Sequence, residues 1–150
     1  MTARRPVVTS LAAIAALAGL AGCQKPTPAV TLVSGGHRVR TESASFCRAG
    51  QSVAAQNCVT HPGRLEVLRV RNGDQVGVDV DKALSDKGWE LVDADAKQRS
   101  AVQDKHYFTF SADFANRPRP GIINLQVRSL DAVSDTASVT GIWQFQLVQR

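Results

Sequence analysis

Histidines are the first candidates for chemistry in this sequence, because an imidazole can act as a general base or bind a metal ion. His37, His61 and His106 lie far apart along the chain. No serine elbow of the GxSxG type, no HExxH and no cysteine–histidine arrangement accompanies them. The sequence therefore predicts a protein that is not an enzyme and that needs no cofactor.

Three carboxylates, Asp79, Asp81 and Asp86, could offer the oxygen ligands that calcium prefers. Their spacing lacks the glycine turn of a calcium loop, and Asp79 and Asp81 alternate with valines, as the outward positions of a strand do. His61 lies close to a cysteine pair, but no CxxC and no second histidine stands at zinc-ligand spacing. We therefore expect no metal site.

The first 22 residues have the three-part pattern of a secretory signal. Arg4 and Arg5 supply a positive start, residues 7–20 form an apolar stretch, and small residues lead to Cys23. The apolar stretch has about fourteen residues, whereas a membrane-spanning helix needs roughly twenty. We expect residues 1–22 to be a signal peptide that is removed on export.

The sequence Leu-Ala-Gly-Cys at residues 20–23 resembles the lipobox of bacterial lipoproteins. In those proteins the cysteine thiol takes a diacylglyceryl group and cleavage leaves the cysteine as the first residue. The resemblance implies lipidation of Cys23 and a position on the extracytoplasmic face of the cell membrane, held there by the lipid anchor. Residues 23–28 contain two prolines and predict a stiff tether, and residues 29–150 predict a single domain.

Once Cys23 is assigned to lipid, Cys47 and Cys58 remain as an even pair in an oxidising compartment. The pair predicts a disulfide bond that closes a short loop. In the chain-entropy description, such a bond stabilises the fold by about 2 to 3 kcal/mol. Residues 41–62 show no period-two pattern, so we expect a stapled loop there with at most one helical turn.

The net charge of the chain and the distribution of its basic residues limit the kinds of binding partner to expect. The sequence has 18 basic and 13 acidic residues, a net charge of +5. Two basic residues lie in the predicted signal peptide, so 16 remain against 13 acidic residues, a net charge of about +3. The basic residues are scattered and the predicted location is outside the cytoplasm, which excludes nucleic acid as an expected partner. An envelope protein or an anionic cell-wall ligand is the expected partner.

Eight short segments alternate apolar and polar residues or carry the residues typical of strands, with turn signals between them. No segment after residue 30 keeps a helical period. The pattern predicts an all-β fold, an immunoglobulin-like antiparallel β-sandwich of seven to eight strands with one disulfide-stapled loop. Trp89 and Trp143 are expected to meet in its core. The segments are residues 29–33, 38–41, 65–70, 75–80, 88–92, 107–111, 121–128 and 139–148.

The Asn-Gly pair at residues 72–73 predicts a β-hairpin between the third and fourth segments. A two-residue loop would set Glu66 directly opposite Asp79, which is unfavourable for two like charges. A three-residue loop with Gly73 in the left-handed conformation instead places Leu68 and Val70 on the face of the fourth segment's valines. We favour this second register because it also turns the neighbouring arginines to solvent.

The segment Asn-Arg-Pro-Arg-Pro-Gly at residues 116–121 is the most distinctive surface stretch. Its prolines fix an extended backbone, and we expect Arg117 and Arg119 to point outward. Together with Asn116 they form a candidate partner-binding loop, since guanidinium groups recognise carboxylate and phosphate. The alternative is a stiff connection between two strands.

The whole chain resembles an uncharacterised family of actinobacterial lipoproteins with a domain of unknown function. The resemblance runs through CQKPTP, the Cys47 and Cys58 pair, QVGVDVD, GWELV and the closing GIWQFQL. It implies a secreted, membrane-anchored protein and leaves the activity unspecified. Together with the composition, it favours a non-catalytic binding or interaction module at the cell envelope.

A second resemblance supplies an alternative function. GDQVGVDVD, the following GW, YFTF and a basic Arg-Pro loop are similar in order to the chagasin-like inhibitors of cysteine proteases. That family is immunoglobulin-like and presents three loops to the protease. Residues 84–89 lack its Asn-Pro-Thr-Thr-Gly loop, and the Arg-Pro pair at Arg117 precedes the penultimate strand instead of following it.

Overall fold

The computed structural model describes residues 26–47, 51–55, 58–61, 64–115 and 117–150. Two β-sheets account for most of this part of the chain, with one α-helix, α1 (Lys82–Ser85), and one 3-10 turn (Val53–Ala55). The strands are β1 (Ala29–Ser34), β2 (His37–Glu42), β3 (Ser45–Phe46), β4 (Val59–Thr60), β5 (Glu66–Val70), β6 (Gln75–Val80), β7 (Trp89–Asp93), β8 (Gln98–Arg99), β9 (Tyr107–Ser111), β10 (Ile122–Leu130) and β11 (Val139–Gln149).

The predicted β-sandwich is confirmed. Sheet I has the strand order β2-β1-β6-β9 and is antiparallel throughout. Sheet II has the order β4-β3-β11-β10-β7-β8, with β5 also lying along β11. All eight predicted segments form strands. The other three strands, β3, β4 and β8, have two residues each, which is too short for an alternating pattern to be recognised.

The core lies between the sheets and follows the period-two pattern. Alternate residues of β10 and β11 are buried, and their neighbours on the opposite face remain partly exposed. Trp89 and Trp143 are both 0% exposed and belong to this one core. Trp143 packs edge-on against Phe46 and Trp89 against Phe108, with ring centroids 6.0 and 6.3 Å apart. The second contact joins the two sheets directly.

The predicted hairpin between β5 and β6 is wrong. A tight turn does form at residues 71–74, with Gly73 at φ 83° and the Asp74 N–H donating to the Arg71 carbonyl. However, β5 leaves this turn into sheet II, where it runs parallel to β11, and β6 enters sheet I between β1 and β9. Leu68 and Val70 are buried as expected, because their strand faces the same core from the other sheet.

The predicted disulfide bond is present. Cys47 and Cys58 are bonded, with their Cα atoms 4.4 Å apart. The Cys47 N–H donates to the carbonyl of Thr140 in β11. The bond therefore joins the end of β3 to the start of β4, and the pairing of β3 with β11 holds both strands at the edge of sheet II. These two strands replace part of the expected loop at residues 41–62.

The long strand β11 pairs with three other strands of sheet II. The edge of β11 opposite β10 is shared by two partners: β3 pairs with Gly141 and Ile142, and β5 pairs with Phe145–Gln149. Gly141 has no side chain at the point where Phe46, Ser129 and the Trp143 ring crowd together. This arrangement brings β5 beside β2, the edge strand of sheet I.

Candidate functional site

A cavity of about 770 Å³ opens at the end of the sandwich where the described chain begins. We call it the N-terminal cavity. Its wall combines the first described residues with the end of β2, the disulfide-stapled region and the segment that follows β6. The lining residues are Pro26, Thr27, Pro28, Ala29, Arg40, Thr41, Glu42, Phe46, Arg64, Asp81 and Ala83.

Hydrogen bonds hold residues 27–29 in place as part of one wall of this cavity. The indole Nε1–H of Trp143 donates to the Pro28 carbonyl over 3.0 Å. The Ala29 N–H donates to Asp81 Oδ2 over 2.6 Å, and the Ser43 N–H donates to Thr27 Oγ1 over 3.3 Å. The end of the predicted tether is therefore attached to the folded domain.

Two ion pairs line the cavity. Arg64 Nη1 lies 3.0 Å from Glu42 Oε2, and Arg40 Nη2 lies 3.8 Å from Asp81 Oδ1. All four side chains are between 39% and 64% exposed. Exposed pairs of this kind contribute only about 0 to 1 kcal/mol to stability. Their charged atoms therefore remain available to a bound molecule at little cost to the fold.

The rest of the wall is apolar. Phe46, Ala83 and the prolines at 26 and 28 supply carbon surface between the two ion pairs. A volume of several hundred Å³, a mostly apolar lining and a few convergent polar groups are typical of small-molecule binding sites. This chemistry suits an amphipathic ligand that has both an apolar portion and charged groups.

Comparison of the sequence with known protein families gives a match over most of the chain. Residues 23–147 match the family described as "Protein of unknown function (DUF2771)". The chain belongs to this family. Comparison with curated proteins finds no match, and comparison with solved structures finds none. The family therefore agrees with the predicted domain of unknown function and carries no activity with it.

Two of the predicted site residues of this DUF2771 protein, Cys23 and Asn116, lie outside the described residues. Lipidation of Cys23 and the signal peptide at residues 1–22 therefore stay predictions. In the described part, no helix is long and apolar enough to cross a membrane.

The arginine loop differs from the expectation. Arg117 does not point outward: its guanidinium pairs with the Asp93 carboxylate, and its Nε–H donates to the Asp113 carbonyl over 2.7 Å. The side chains of Arg117 and Asp93 are only 15% and 12% exposed. The ion pair lies at a cleft of about 310 Å³ with mixed polar and apolar lining, between β9 and sheet II, so Arg117 is a structural residue. Arg119 is exposed, as expected.

The remaining candidate residues do not converge. Asp79 is exposed on β6, and Asp86 pairs with Lys82 one helical turn away. Within the described ranges, no group of three or more histidine, cysteine or acidic side chains could hold a metal ion. Of the residues considered for calcium, only Asp81 lies in the N-terminal cavity.

His106 is the histidine closest to a hydroxyl nucleophile. Its Nδ1 lies 3.2 Å from Ser85 Oγ and 3.4 Å from the Val80 carbonyl. The Ser85 hydroxyl also lies 3.1 Å from the Lys82 carbonyl, which can accept its proton. Ser85 is only 3% exposed, so its hydroxyl is not open to a substrate.

The N-terminal cavity could not be predicted from the sequence, because four separate parts of the chain contribute its residues. One signal was present in β2, where Arg38, Arg40 and Glu42 alternate with Val39 and Thr41. This alternation indicates a charged strand face. It does not indicate that Arg64 and Asp81 would be brought to the same place.

Proposed function

We propose that this protein is a lipid-anchored binding module on the extracytoplasmic face of the cell membrane, and that it takes an amphipathic envelope ligand into the N-terminal cavity. The observation that carries the proposal is the position of the cavity. Its wall includes residues 26–28, which lie three to five positions after Cys23, the start of the predicted tether.

Chain length supports this placement. The three residue steps from Cys23 to Pro26 span at most about 10 Å, because an extended chain covers roughly 3.3 to 3.6 Å per residue. Acyl chains on Cys23 would therefore keep the cavity within about 10 Å of the membrane surface. The family match also begins at Cys23, the residue that a lipobox leaves at the start of the mature protein.

The anchor is tested by intact-mass measurement on protein purified from its native membranes. We expect loss of residues 1–22 and an added mass equal to two or three acyl chains with glycerol. A Cys23→Ala variant serves as the control and should carry no acyl group. An unprocessed wild-type chain with a free Cys23 thiol would exclude the anchor and the location together.

The cavity is tested by native mass spectrometry of the protein in a non-denaturing detergent. We expect the wild-type protein to carry a bound small molecule. The Arg119→Ala variant should retain it, because this exposed arginine is not part of the cavity wall. The double variant Arg40→Ala and Arg64→Ala should lose it while keeping the same unfolding midpoint. A bound species that persists equally in both variants, or no bound species at all, would contradict the use of this cavity.

Inhibition of cysteine proteases is the alternative function. It predicts stoichiometric inhibition of a papain-like protease by the purified protein. The structure gives this alternative no particular support, because Arg117 of the Arg-Pro loop is held by Asp93 and α1 occupies residues 82–85. Tight inhibition would nonetheless replace the binding-module proposal.

A further inference from the structure

A second concave surface lies at the opposite end of β2. It runs between β2 and β5, the neighbouring edge strands of sheets I and II, and has a volume of about 480 Å³. Val39, Val67 and Leu68 form its apolar part. We call it the basic groove, because His37, Arg38, Arg69 and Arg150 supply all of its ionisable side chains.

The arginines of the basic groove form no ion pair in the described part of the chain. Six ion pairs occur in the described part of the chain, and none of them involves Arg38, Arg69 or Arg150. Arg150 Nη1 lies 3.4 Å from His37 Nε2. A guanidinium has only donors, so His37 accepts in this contact and no carboxylate takes part.

The three arginines come from different elements. Arg38 belongs to β2, Arg69 to β5, and Arg150 follows β11, where its N–H donates to the Val70 carbonyl over 2.9 Å. Like charges brought together repel one another, so this arrangement is unfavourable in the free protein. An oxyanion in the groove would remove the repulsion and receive the guanidinium donors, which match phosphate geometry in pairs.

We propose that the basic groove binds a phosphate group of an envelope polymer, with the carbon chain of the polymer lying over Val39 and Val67. Val67 is 43% exposed, which is unusual for a valine in this fold and leaves apolar surface for such contacts. Binding of phosphate is independent of the N-terminal cavity.

The choice of a polymer over a lipid headgroup rests on the proposed anchor. β2 runs from His37 in the basic groove to Glu42 in the N-terminal cavity. Six strand residues extend about 20 Å. A protein anchored at Cys23 would therefore hold the basic groove away from the membrane surface. In that position the groove faces the envelope polymer and not the lipid headgroups.

The test is isothermal titration of the full purified protein in detergent with sodium tripolyphosphate as the probe. We expect saturable binding that weakens with salt, as contacts between arginine and phosphate do. The double variant Arg69→Gln and Arg150→Gln should lower the affinity by about tenfold or more. Arg119→Gln, the matched control, should leave it unchanged. All substituted side chains are exposed, and an unchanged unfolding midpoint will verify that each variant is folded.

Failure to bind tripolyphosphate, or equal weakening by the control, would overturn the proposal. Tighter binding of poly-glutamate than of tripolyphosphate would assign the groove to carboxylates and overturn the choice of phosphate. A third arm uses the Cys23→Ser protein and vesicles of anionic phospholipid. Binding to vesicles that disappears in the groove variant would identify a lipid headgroup and exclude the polymer. None of these results depends on whether Cys23 is acylated, so they are separable from failure of the proposed anchor.

Discussion

Removal of the Cys47–Cys58 bond should destabilise the fold by an amount that follows from its position in the chain. The two cysteines are separated by 11 positions. For a closed loop of this size, the chain-entropy relation gives about 2.8 kcal/mol at 25 °C. Alanine is the suitable replacement at both positions, because Cys47 is only 3% exposed and a serine hydroxyl there would be buried.

Removal of the disulfide bond should also weaken ligand binding in the N-terminal cavity. Phe46 precedes Cys47, lines the cavity and packs against Trp143. Without the bond, a short ladder holds β3 to β11 and another holds β4 to β3. We therefore expect weaker ligand retention in the cavity and unchanged tripolyphosphate binding in the basic groove.

Urea unfolding followed by tryptophan fluorescence measures the effect, since both tryptophans are fully buried. The Cys47→Ala, Cys58→Ala protein should lose about 2 to 3 kcal/mol in the free energy of unfolding. Reduced wild-type protein should show the same loss. A difference below about 1 kcal/mol, or reduced wild-type protein as stable as oxidised protein, would refute the reasoning from loop closure.

Two further substitutions have matched controls within the chain. Gly141→Ala should lower the free energy of unfolding by about 1 to 3 kcal/mol, because the added Cβ would lie 2.8 Å from atoms of three side chains. Gly36→Ala is the control: it has open space around it and should change the free energy of unfolding by less than about 0.5 kcal/mol. Thermal or urea unfolding measures both. Arg117→Ala should cost about 1 to 3 kcal/mol, since it leaves the Asp93 carboxylate buried without its partner. Arg119→Ala should be nearly neutral, and equal effects at the two arginines would contradict a structural role for Arg117.

Most strands of this fold could be predicted because their apolar residues alternate. Alternation reports which face of a strand is buried, and it gave the correct answer for Leu68 and Val70 even though the predicted hairpin was wrong. It does not report the pairing partner, since strands in either sheet of a sandwich show the same pattern. The parallel pairing of β5 with β11 was for this reason beyond the reach of the sequence.

The candidate sites were harder to predict than the strands. The disulfide followed from cysteine counting, because only one pair remained after Cys23. The N-terminal cavity and the basic groove each combine residues from distant parts of the chain, such as Arg38 and Arg150. The predicted outward orientation of Arg117 was wrong. Its neighbouring prolines indicate an exposed loop, whereas its side chain turns back to Asp93.

The position of β11 at the end of the sequence has a consequence for the order in which the fold can form. β3, β5 and β10 all pair with this strand in sheet II, and β5 has no other strand partner in the described part of the chain. A chain that emerges from its amino end can close the local β1–β2 hairpin early, yet sheet II cannot be completed before residues 139–149 are present. Pairing of segments so distant in sequence is slow compared with local contacts. The edge of β5 that pairs with β11 would thus stay uncovered until residues 145–149 have been added, which leaves the partly formed chain exposed to aggregation.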